Sequence, residues 1–310
     1  MKTILVIGTN GFVGQNVVRL LKEQNSHNLI TISGKKELDI ENFFDLNQFC
    51  KDKDIDSIIN CSAFVGGISY GYKYKADLLS KNTQMINNIY ETAVKNNISK
   101  VINPISNCAY PGNISEYKEE KFWDGKPDDS VFYYGLSKRV AVAMAQAYYE
   151  QYNISSVSVV LSNMYGPGDH FEEKRSHALG ALIKKFYDAK SKNFDNVEIW
   201  GSGNQIREWL YVEDGCHALI KSNELDTGNY FFNVGINKGI SIKDLANIIK
   251  KQFNFNGNLH FDTSKPEGVY KKQVDGTNGE KILKWKPEID LEDGIARTVK
   301  WYFDNYEERL

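Results

Sequence analysis

The sequence predicts an α/β fold, in which a doubly wound parallel sheet carries helices on both faces and a smaller α/β domain follows toward the C-terminus. In the first half of the 310-residue chain, short β-rich runs alternate with longer segments of helical periodicity. The short runs are mostly apolar, which is typical of parallel strands that are buried on both faces. After Gly166 the alternation weakens and loops become frequent, which indicates a second and smaller unit.

The predicted elements follow one another in a regular order. In the first half, strands are predicted at Thr3–Ile7, Leu29–Ile32, Ser57–Asn60, Val101–Asn103 and Ser156–Leu161, and helices at Phe12–Gln24, Ala76–Asn96 and Tyr134–Tyr152. In the second half, strands are predicted at Glu208–Val212 and Tyr230–Val234, and helices at His177–Ala189, Ser241–Gln252 and Leu291–Tyr306. We expect the chain to cross between two domains, one of residues 1–165 with about 206–236 and one of residues 166–205 with 237–310.

A glycine-rich loop joins the first predicted strand to the first helix. Gly8, Gly11 and Gly14 follow that strand with the spacing GxxGxxG. Glycine permits a tight turn and lets backbone N–H groups approach a pyrophosphate, while the helix N-terminus adds its unpaired donors. The order of strand, glycine loop and helix therefore indicates a Rossmann-type dinucleotide site. Its candidate residues are Gly8, Asn10, Gly11, Phe12, Val13 and Gly14.

The end of the second strand bears on which dinucleotide is bound. NAD-binding proteins of this type place an acidic residue there for the ribose 2′-hydroxyl. Here the sequence reads Ser33-Gly34-Lys35-Lys36, and a cation suits the 2′-phosphate of NADP. We therefore predict NADP(H) as the cofactor, with Lys35 at the phosphate and Asp39 at the adenine amine. The alternative is that both lysines belong to a solvated turn.

Tyr134 and Lys138 form a YxxxK pair at the start of a predicted helix. Residues four apart share a helix face, so the phenol and the ammonium group are expected to lie together. We expect Lys138 to lower the pKa of Tyr134 and to hold the nicotinamide ribose, while Tyr134 exchanges a proton with a carbonyl oxygen. Ser106 follows a predicted strand at the sheet edge where such folds bind ligands, and its hydroxyl would polarise the same carbonyl. As an isolated serine it also fits an ordinary turn.

Longer stretches resemble the extended short-chain dehydrogenase/reductase family and, within it, the GDP-L-fucose synthases, which epimerise a GDP-4-keto-6-deoxy sugar and reduce it at C4. These stretches are Ala63–Ile68, Ser106–Pro111, Asn163–Pro167, Trp200–Gly203, Arg207–Val212 and Lys265–Gly268, together with Ser176-His177. The resemblance implies a reductase triad of Ser106, Tyr134 and Lys138. It also implies an epimerase base and acid at Cys108 and His177.

The same resemblance implies how two ligands would be bound. Ala63 and Asn163 lie in two of the shared stretches and are expected at the cofactor. Trp200 and Arg207 would flank the guanine and the diphosphate, since a planar guanidinium suits phosphate. A core tryptophan and a surface ion pair are the alternatives for these two residues. Further candidates for the nucleotide are Lys185 and Lys272.

The resemblance implies NADPH-dependent C4 reduction of a GDP-4-keto-(6-deoxy)sugar with 3,5-epimerisation. Two alternatives stay open. One is a C4 reductase that acts on a GDP-4-keto-heptose epimerised by another enzyme. The other is a catalytically inactive NADP-binding scaffold, against which the intact Ser106, Tyr134 and Lys138 argue.

The resemblance implies a GDP-linked keto sugar and a second copy of the chain as partners, and composition and charge give no reason to expect others. The formal net charge of −2 gives no electrostatic reason to expect nucleic acid or an acidic membrane surface. The four cysteines form no CxxC pair and no metal-ligand spacing, so we expect reduced thiols in a cytoplasmic protein without a metal site. We expect a homodimer in which Ala76–Asn96 and Tyr134–Tyr152 meet the same helices of a second copy.

Overall fold

A computed structural model describes residues 1–172, 176–265 and 269–306 of the chain, and it confirms the α/β fold. The strands are β1 (Thr3–Ile7), β2 (Asn28–Ile32), β3 (Ser57–Asn60), β4 (Lys100–Ser106), β5 (Glu116–Tyr117), β6 (Ser155–Leu161), β7 (Asn163–Tyr165), β8 (Asn196–Trp200), β9 (Ile206–Tyr211), β10 (Asn229–Val234), β11 (Gly239–Ser241), β12 (Asn258–Asp262) and β13 (Lys271–Val274). The α-helices are α1 (Phe12–Gln24), α2 (Phe43–Cys50), α3 (Ile68–Lys73), α4 (Lys75–Lys95), α5 (Phe132–Tyr152), α6 (Ala178–Ser191), α7 (Val212–Ser222), α8 (Ile242–Gln252), α9 (Thr277–Leu283) and α10 (Leu291–Tyr306).

Six parallel strands form the central sheet in the order β2-β1-β3-β4-β6-β10. Successive side chains of a strand point to opposite faces, so Leu5 packs in one core and Val6 in another. The first core lies under α2, α4 and α5 and includes Leu46, Ile89 and Ala141. The second lies under α1 and α7. Because both faces are covered, the inner strands are mostly apolar and almost fully buried, as the sequence indicates.

The order of the strands determines where a ligand crevice forms. β2 lies on one side of β1 and β3 lies on the other, so the strand order reverses at β1. In open sheets of this type, ligands bind beyond the carboxyl ends of the strands at such a reversal. The segments that follow β1, β3 and β4 begin at Gly8, Cys61 and Asn107 and therefore meet at this edge.

β9 connects the central region to a second group of elements. It pairs with β7, β11 and β13 in a mixed sheet, in which β13 also pairs with β5, while β8 pairs separately with β12. Leu210 of β9 packs in the second core, whereas Trp209 and Tyr211 pack in a third core with residues of α6, α8 and α10. This third core is the one expected for a smaller domain, and the domain boundaries stay a prediction.

β4 is longer than predicted and contains Pro104. A proline lacks the backbone N–H that a central strand donates to its ladder. β3 pairs with β4 only as far as Ile102, whereas β6 continues to Ser106. Pro104 therefore has a neighbouring strand on one side only, and the extended strand carries Ser106 at its last position.

Several elements differ from the periodicity-based predictions. The strand predicted at Glu208–Val212 ends at Tyr211, because Val212 begins α7. The helices α2, α3, α7 and α9 were not predicted, since segments of 6 to 11 residues carry few turns of periodicity. Within the described part of the chain, no helix is both long and apolar enough to cross a bilayer.

Candidate active site

The glycine loop has the geometry of an anion site. Gly8 has a φ of +83°, and a Cβ atom there would lie 2.8 Å from the backbone nitrogen of Ser62. A Cβ atom on Gly14 would lie 2.2 Å from the carbonyl oxygen of Gly8. Gly11 is the N-cap of α1 and has no side chain to occupy the first N–H groups of the helix. These donors and the positive end of the helix dipole are therefore available to a pyrophosphate.

The other residues predicted in this loop lie at its rim and at its base. Asn10 is exposed, and its backbone N–H donates to the carbonyl oxygen of Ser33 at 3.2 Å. Phe12 and Val13 pack against the second core and anchor the first turn of α1. Ala63 is exposed in the segment that follows β3, at the same sheet edge.

The turn after β2 brings the predicted cation together with carboxylates. The ammonium nitrogen of Lys35 lies 3.0 Å from an oxygen of Asp39 and 3.2 Å from an oxygen of Glu41. Lys36 is exposed next to it. Lys35 and Asp39, the residues predicted to bind the adenosine part of the cofactor, are thus neighbours, but they form an ion pair with each other. A 2′-phosphate would have to exchange these ion pairs for its own, which costs little at so exposed a position.

Lys138 and Ser106 are held close together by a short chain of contacts. Lys138 donates a hydrogen bond of 3.3 Å to the carbonyl oxygen of Pro104, two residues before Ser106. The Lys138 nitrogen lies 5.7 Å from the centre of the Tyr134 ring. A Cβ atom on Gly135 would lie 2.4 Å from the carbonyl oxygen of Cys108, so the start of α5 packs directly on the turn after β4. The structure therefore brings Ser106, Cys108, Tyr134 and Lys138 to one place.

Burial has the largest effect on the pKa values of Tyr134 and Lys138. Burial raises the pKa of the half-buried Tyr134 phenol, and the nearby Cys108 adds to the effect. Burial also lowers the pKa of Lys138 to about 8, against a smaller opposing effect of Cys61. The pKa of Tyr134 is thus set mainly by burial, and the predicted effect of Lys138 on it stays a prediction. Tyr134 keeps its proton at neutral pH.

A small polar cavity of about 10 Å³ lies beside Lys138. Its lining includes Asn60, Asn103 and Ser137, and this volume is about that needed for one water. Asn60 donates a hydrogen bond of 3.3 Å to Asn103, which donates one of 3.0 Å to the hydroxyl of Tyr90. This buried network could not be predicted from the sequence, because its members lie on three separate elements.

Cys108 and His177 occupy different environments. The backbone N–H of Cys108 donates to the hydroxyl of Ser106 at 3.2 Å, and the Cys108 side chain is half-buried. The sequence predicts that a helix begins at His177, and in the structure His177 is the N-cap residue of α6. The residue is exposed to solvent. Although the residue as a whole is exposed, desolvation of the His177 imidazole lowers its pKa, and the neighbouring His170 adds to the effect, so the neutral form is favoured. Among the described residues, no hydrogen bond or ion pair joins His177 to Cys108.

Arg207 and Lys272 lie side by side on adjacent strands, and Tyr117 is near both Arg207 and Cys108. Arg207 of β9 is in register with Lys272 of β13. The guanidinium of Arg207 donates to the carbonyl oxygens of Ile206 at 2.8 Å and Tyr270 at 3.3 Å, so it is not the surface ion pair considered above. Burial raises the pKa of Tyr117, which has both Cys108 and Arg207 close by.

Asn163 connects the turn after β4 to β9 by hydrogen bonds, so its side chain is less available to a cofactor. Its side-chain nitrogen donates to the carbonyl oxygen of Glu208 at 2.9 Å, and its oxygen accepts a bond of 3.3 Å from Asn107. The amide group therefore has protein partners on both sides. Its predicted role at the cofactor stays a prediction.

Trp200 is an exposed ring on β8 with two lysines over it. Its side chain is 48% exposed, so it is not a core tryptophan. The ammonium nitrogens of Lys185 and Lys265 lie 5.2 Å and 5.7 Å from its ring centre. Lys185 also donates to the carbonyl oxygen of Glu198 at 2.9 Å. The structure thus groups Trp200 with Lys185, as predicted for a nucleotide site, and adds Lys265 and Glu198.

The described residues contain no group of three or more histidine, cysteine, aspartate or glutamate side chains arranged to hold a metal ion.

Comparisons with known proteins agree with this geometry. Residues 4–235 match the NAD dependent epimerase/dehydratase family. GDP-L-fucose synthase 1 of Arabidopsis thaliana is 31% identical over 303 residues, which cover 97% of this chain and 93% of that protein. A GDP-L-fucose synthetase from Naegleria fowleri bound to NADP has a TM-score of 0.90 and 28% identity, covering 99% of this chain and 94% of that one. A GDP-6-OMe-4-keto-L-xylo-heptose reductase from C. jejuni has a TM-score of 0.88 and 26% identity, covering 98% of both chains.

Proposed function

Because the chain belongs to the NAD dependent epimerase/dehydratase family, we propose that it reduces the C4 ketone of a GDP-linked keto sugar with NADPH. The observation that carries the proposal is the group formed by Ser106, Tyr134 and Lys138 at the open edge of the sheet. Lys138 is fixed by Pro104, and Tyr134 lies one helical turn before it. A phenol that keeps its proton at neutral pH is a suitable donor to the oxygen of a ketone that is being reduced.

The residues around the glycine loop fit a dinucleotide. Gly8 and Gly14 lack room for a Cβ atom, and the open N-terminus of α1 supplies donors for the pyrophosphate. Lys35 and Lys36 supply cations for the 2′-phosphate, and Lys138 would hold the nicotinamide ribose. When bound, NADPH supplies the hydride that the ketone carbon accepts. The NADP bound to the Naegleria fowleri relative supports this choice of cofactor.

Ser106 and Tyr134 act on the ketone oxygen. As the carbon accepts a hydride, negative charge develops on the oxygen, and two hydroxyl donors stabilise that charge. Tyr134 then gives its proton to the oxygen, so that a C4 alcohol forms and a phenolate remains. The ammonium group of Lys138, one turn away on α5, stabilises the phenolate. Since its pKa is about 8, Lys138 is mostly charged at neutral pH.

Two groups of residues suit the two parts of a nucleoside diphosphate. Trp200 and Lys185 suit the base, and Arg207 and Lys272 suit the diphosphate. We assign the base to the exposed ring of Trp200, because aromatic faces stack with bases. We assign the diphosphate to Arg207 and Lys272, with Lys185 at the side of the base. Arg207 and Cys108 both act electrostatically on Tyr117, which supports a substrate whose diphosphate lies at Arg207 and whose sugar lies at Ser106 and Tyr134.

Cys108 supports a second activity on the same substrate, which is epimerisation at C3 and C5. Both carbons flank the C4 ketone, so their protons are acidified by enolate formation. The thiol of Cys108 lies beside Tyr134 and is half-exposed, where it can reach the sugar. His177 would serve as the acid on the opposite face of the ring. Reduction alone is the alternative, and the C. jejuni relative is named a GDP-keto-heptose reductase.

We further propose that the enzyme is a cytoplasmic homodimer that supplies sugars for surface polysaccharides. The homodimer is supported by an open groove along α4 and α5, the helices that are expected to meet in the dimer. The place in polysaccharide biosynthesis rests on the class of substrate.

NADPH oxidation tests the proposed reaction. Wild-type protein is given GDP-4-keto-6-deoxymannose or a UDP-linked 4-keto sugar, and Tyr134→Phe is measured in parallel. We expect oxidation that depends on the GDP-linked sugar, and a Tyr134→Phe rate about 10²–10⁴-fold lower with NADPH binding unchanged. A Tyr134→Phe variant as fast as wild type, or no oxidation with any GDP-linked keto sugar, would contradict the proposal.

A further inference from the structure

Glu198 and Trp200 form a rigid pair on the exposed face of β8. Residues two apart on a strand point to the same side, and here Val197 and Ile199 are buried between exposed Glu198 and Trp200. The indole N–H of Trp200 donates to Oε1 of Glu198 at 2.9 Å. This bond fixes the carboxylate at the edge of the aromatic ring. The Glu198 side chain is nevertheless 50% exposed, so a ligand can reach it.

The cations near Glu198 leave most of its hydrogen-bonding capacity unused. Lys185 lies 3.9 Å from Oε1, which is longer than a hydrogen bond. The same lysine donates instead to the backbone carbonyl oxygen of Glu198 at 2.9 Å. A carboxylate offers about four acceptor positions, of which the indole of Trp200 uses one. Within the described part of the chain, Oε2 of Glu198 has no hydrogen-bond partner.

We propose that Glu198 selects guanine over other bases in the nucleotide part of the substrate. This inference rests on the proposed function, in which Trp200 receives the base of a nucleoside diphosphate. Guanine carries two adjacent donors, N1–H and the 2-amino group, on one edge. A carboxylate can accept from both at once, and such charge-assisted pairs are roughly twice as strong as neutral hydrogen bonds.

Other bases do not match a carboxylate in this position. Uracil presents one N–H between two carbonyl oxygens, and those oxygens would be repelled by Glu198. Adenine presents its amino group beside a ring nitrogen that is an acceptor, so only one bond forms. Specificity of this kind combines a good fit for one ligand with repulsion of its competitors. Glu198 therefore acts as a specificity-determining residue, outside the group that carries out the chemistry.

Calorimetric titration of the full chain with GDP, IDP, ADP and UDP tests this role. IDP is informative because it keeps N1–H but lacks the 2-amino group. We expect wild type to bind GDP about tenfold more tightly than IDP, and more tightly still than ADP and UDP. Glu198→Gln should weaken GDP binding about tenfold, weaken IDP and ADP less, and strengthen UDP binding, because the repulsion of the uracil oxygens is removed. Glu224→Gln, at an exposed carboxylate beyond α7, is the matched control and should bind all four as wild type does.

The outcomes separate this inference from the proposed function. If wild type prefers GDP and Glu198→Gln keeps the full preference, the base is recognised elsewhere and the role of Glu198 is overturned, while the proposed function stands. If wild type binds all four nucleotides equally, both the guanine specificity and the GDP-sugar substrate are overturned. A selective loss of GDP affinity in Glu198→Gln, with Glu224→Gln unchanged, supports the inference.

Discussion

The buried ammonium group of Lys138 should make the reaction sensitive to pH. Burial lowers the pKa of Lys138 to about 8, so the cation is present below this pH and lost above it. A neutral amine stabilises neither the Tyr134 phenolate nor a ribose hydroxyl with the same strength. We expect kcat for reduction to fall as the pH rises through about 8. Rates measured between pH 6 and 10 check this, and Lys138→Met should be slow with no such decline.

Cys108 should be required for proton exchange at the carbons beside the ketone. Solvent deuterium is followed into C3 and C5 of a GDP-4-keto sugar in the absence of NADPH. We expect wild type to incorporate label, Cys108→Ser to lose it, and Tyr134→Phe to retain part of it. Cys61→Ala is the matched control, because burial raises the pKa of that thiol to about 12 and makes it a poor base. Absence of label with wild type on every GDP-4-keto sugar tried would leave a C4 reductase alone.

Single residues could be predicted where the chemistry depends on local spacing. Tyr134 and Lys138 are four apart on one helix, and the structure places them beside Ser106 at the end of β4. Tyr117 and Glu198 could not be found in this way, because their neighbours come from distant parts of the chain. Tyr117 lies on a strand of two residues, and the bond between Glu198 and Trp200 depends on which face of β8 is exposed. The pKa of Tyr134 could not be predicted from the sequence either, because it depends mainly on burial.

α4 and α5 carry the surface on which the homodimer prediction depends. The two helices pack against each other and leave an open groove of about 490 Å³. The groove is lined by Ala76, Leu79, Ser80, Thr83, Gln84, Asn87 and Met144. This mixture of apolar and uncharged polar residues carries no like charges that would oppose a self-complementary contact between two copies. We expect Met144→Glu to convert a dimer to a monomer in light scattering.

Phe44→Glu is the control for the dimer experiment, since Phe44 is an exposed apolar residue on α2. This variant should remain a dimer. A wild-type protein that is monomeric at micromolar concentration would show that the groove serves another purpose.

At the scale of elements, the sequence predicts buried strands and long helices well and short connections poorly. β1 and β3 have the predicted boundaries, because their apolar runs end at clear turn signals. β4 extends beyond its prediction through Pro104, since proline is tolerated where only one neighbouring strand continues. β13 was not predicted at all, because half-buried residues such as Lys271 and Lys272 give it no apolar pattern.

For the whole molecule, buried carboxyl groups should make stability depend on pH. Burial raises the pKa of Asp169 and of Glu208 to about 7, the latter against three backbone N–H donors. The folded protein then binds more protons than the unfolded chain between about pH 4 and 7, so stability falls as the pH rises through this range. Lys138 acts in the opposite sense, because its lowered pKa makes stability rise between about pH 8 and 10.5.

We therefore expect stability to fall between about pH 5 and 7, with a difference on the order of a few kcal/mol. Above pH 8 the thiols of Cys50 and Cys61, whose pKa values burial raises, oppose the effect of Lys138. Thermal unfolding measured from pH 5 to 10 checks this expectation. Asp169→Asn should flatten the acidic side of the profile. A steady rise in stability from pH 5 to 7.5 would mean that these carboxyl groups are ionised in the folded protein.

Transfer of label from the cofactor to the sugar distinguishes C4 reduction from reaction at another carbon. NADPH that carries deuterium as its transferable hydrogen is incubated with the protein and GDP-4-keto-6-deoxymannose, and the product sugar is analysed by NMR. The arrangement of Ser106, Tyr134 and Lys138 predicts one deuterium, bound to C4 of the product. Deuterium at another carbon, or consumption of NADPH without label in the sugar, would contradict C4 reduction.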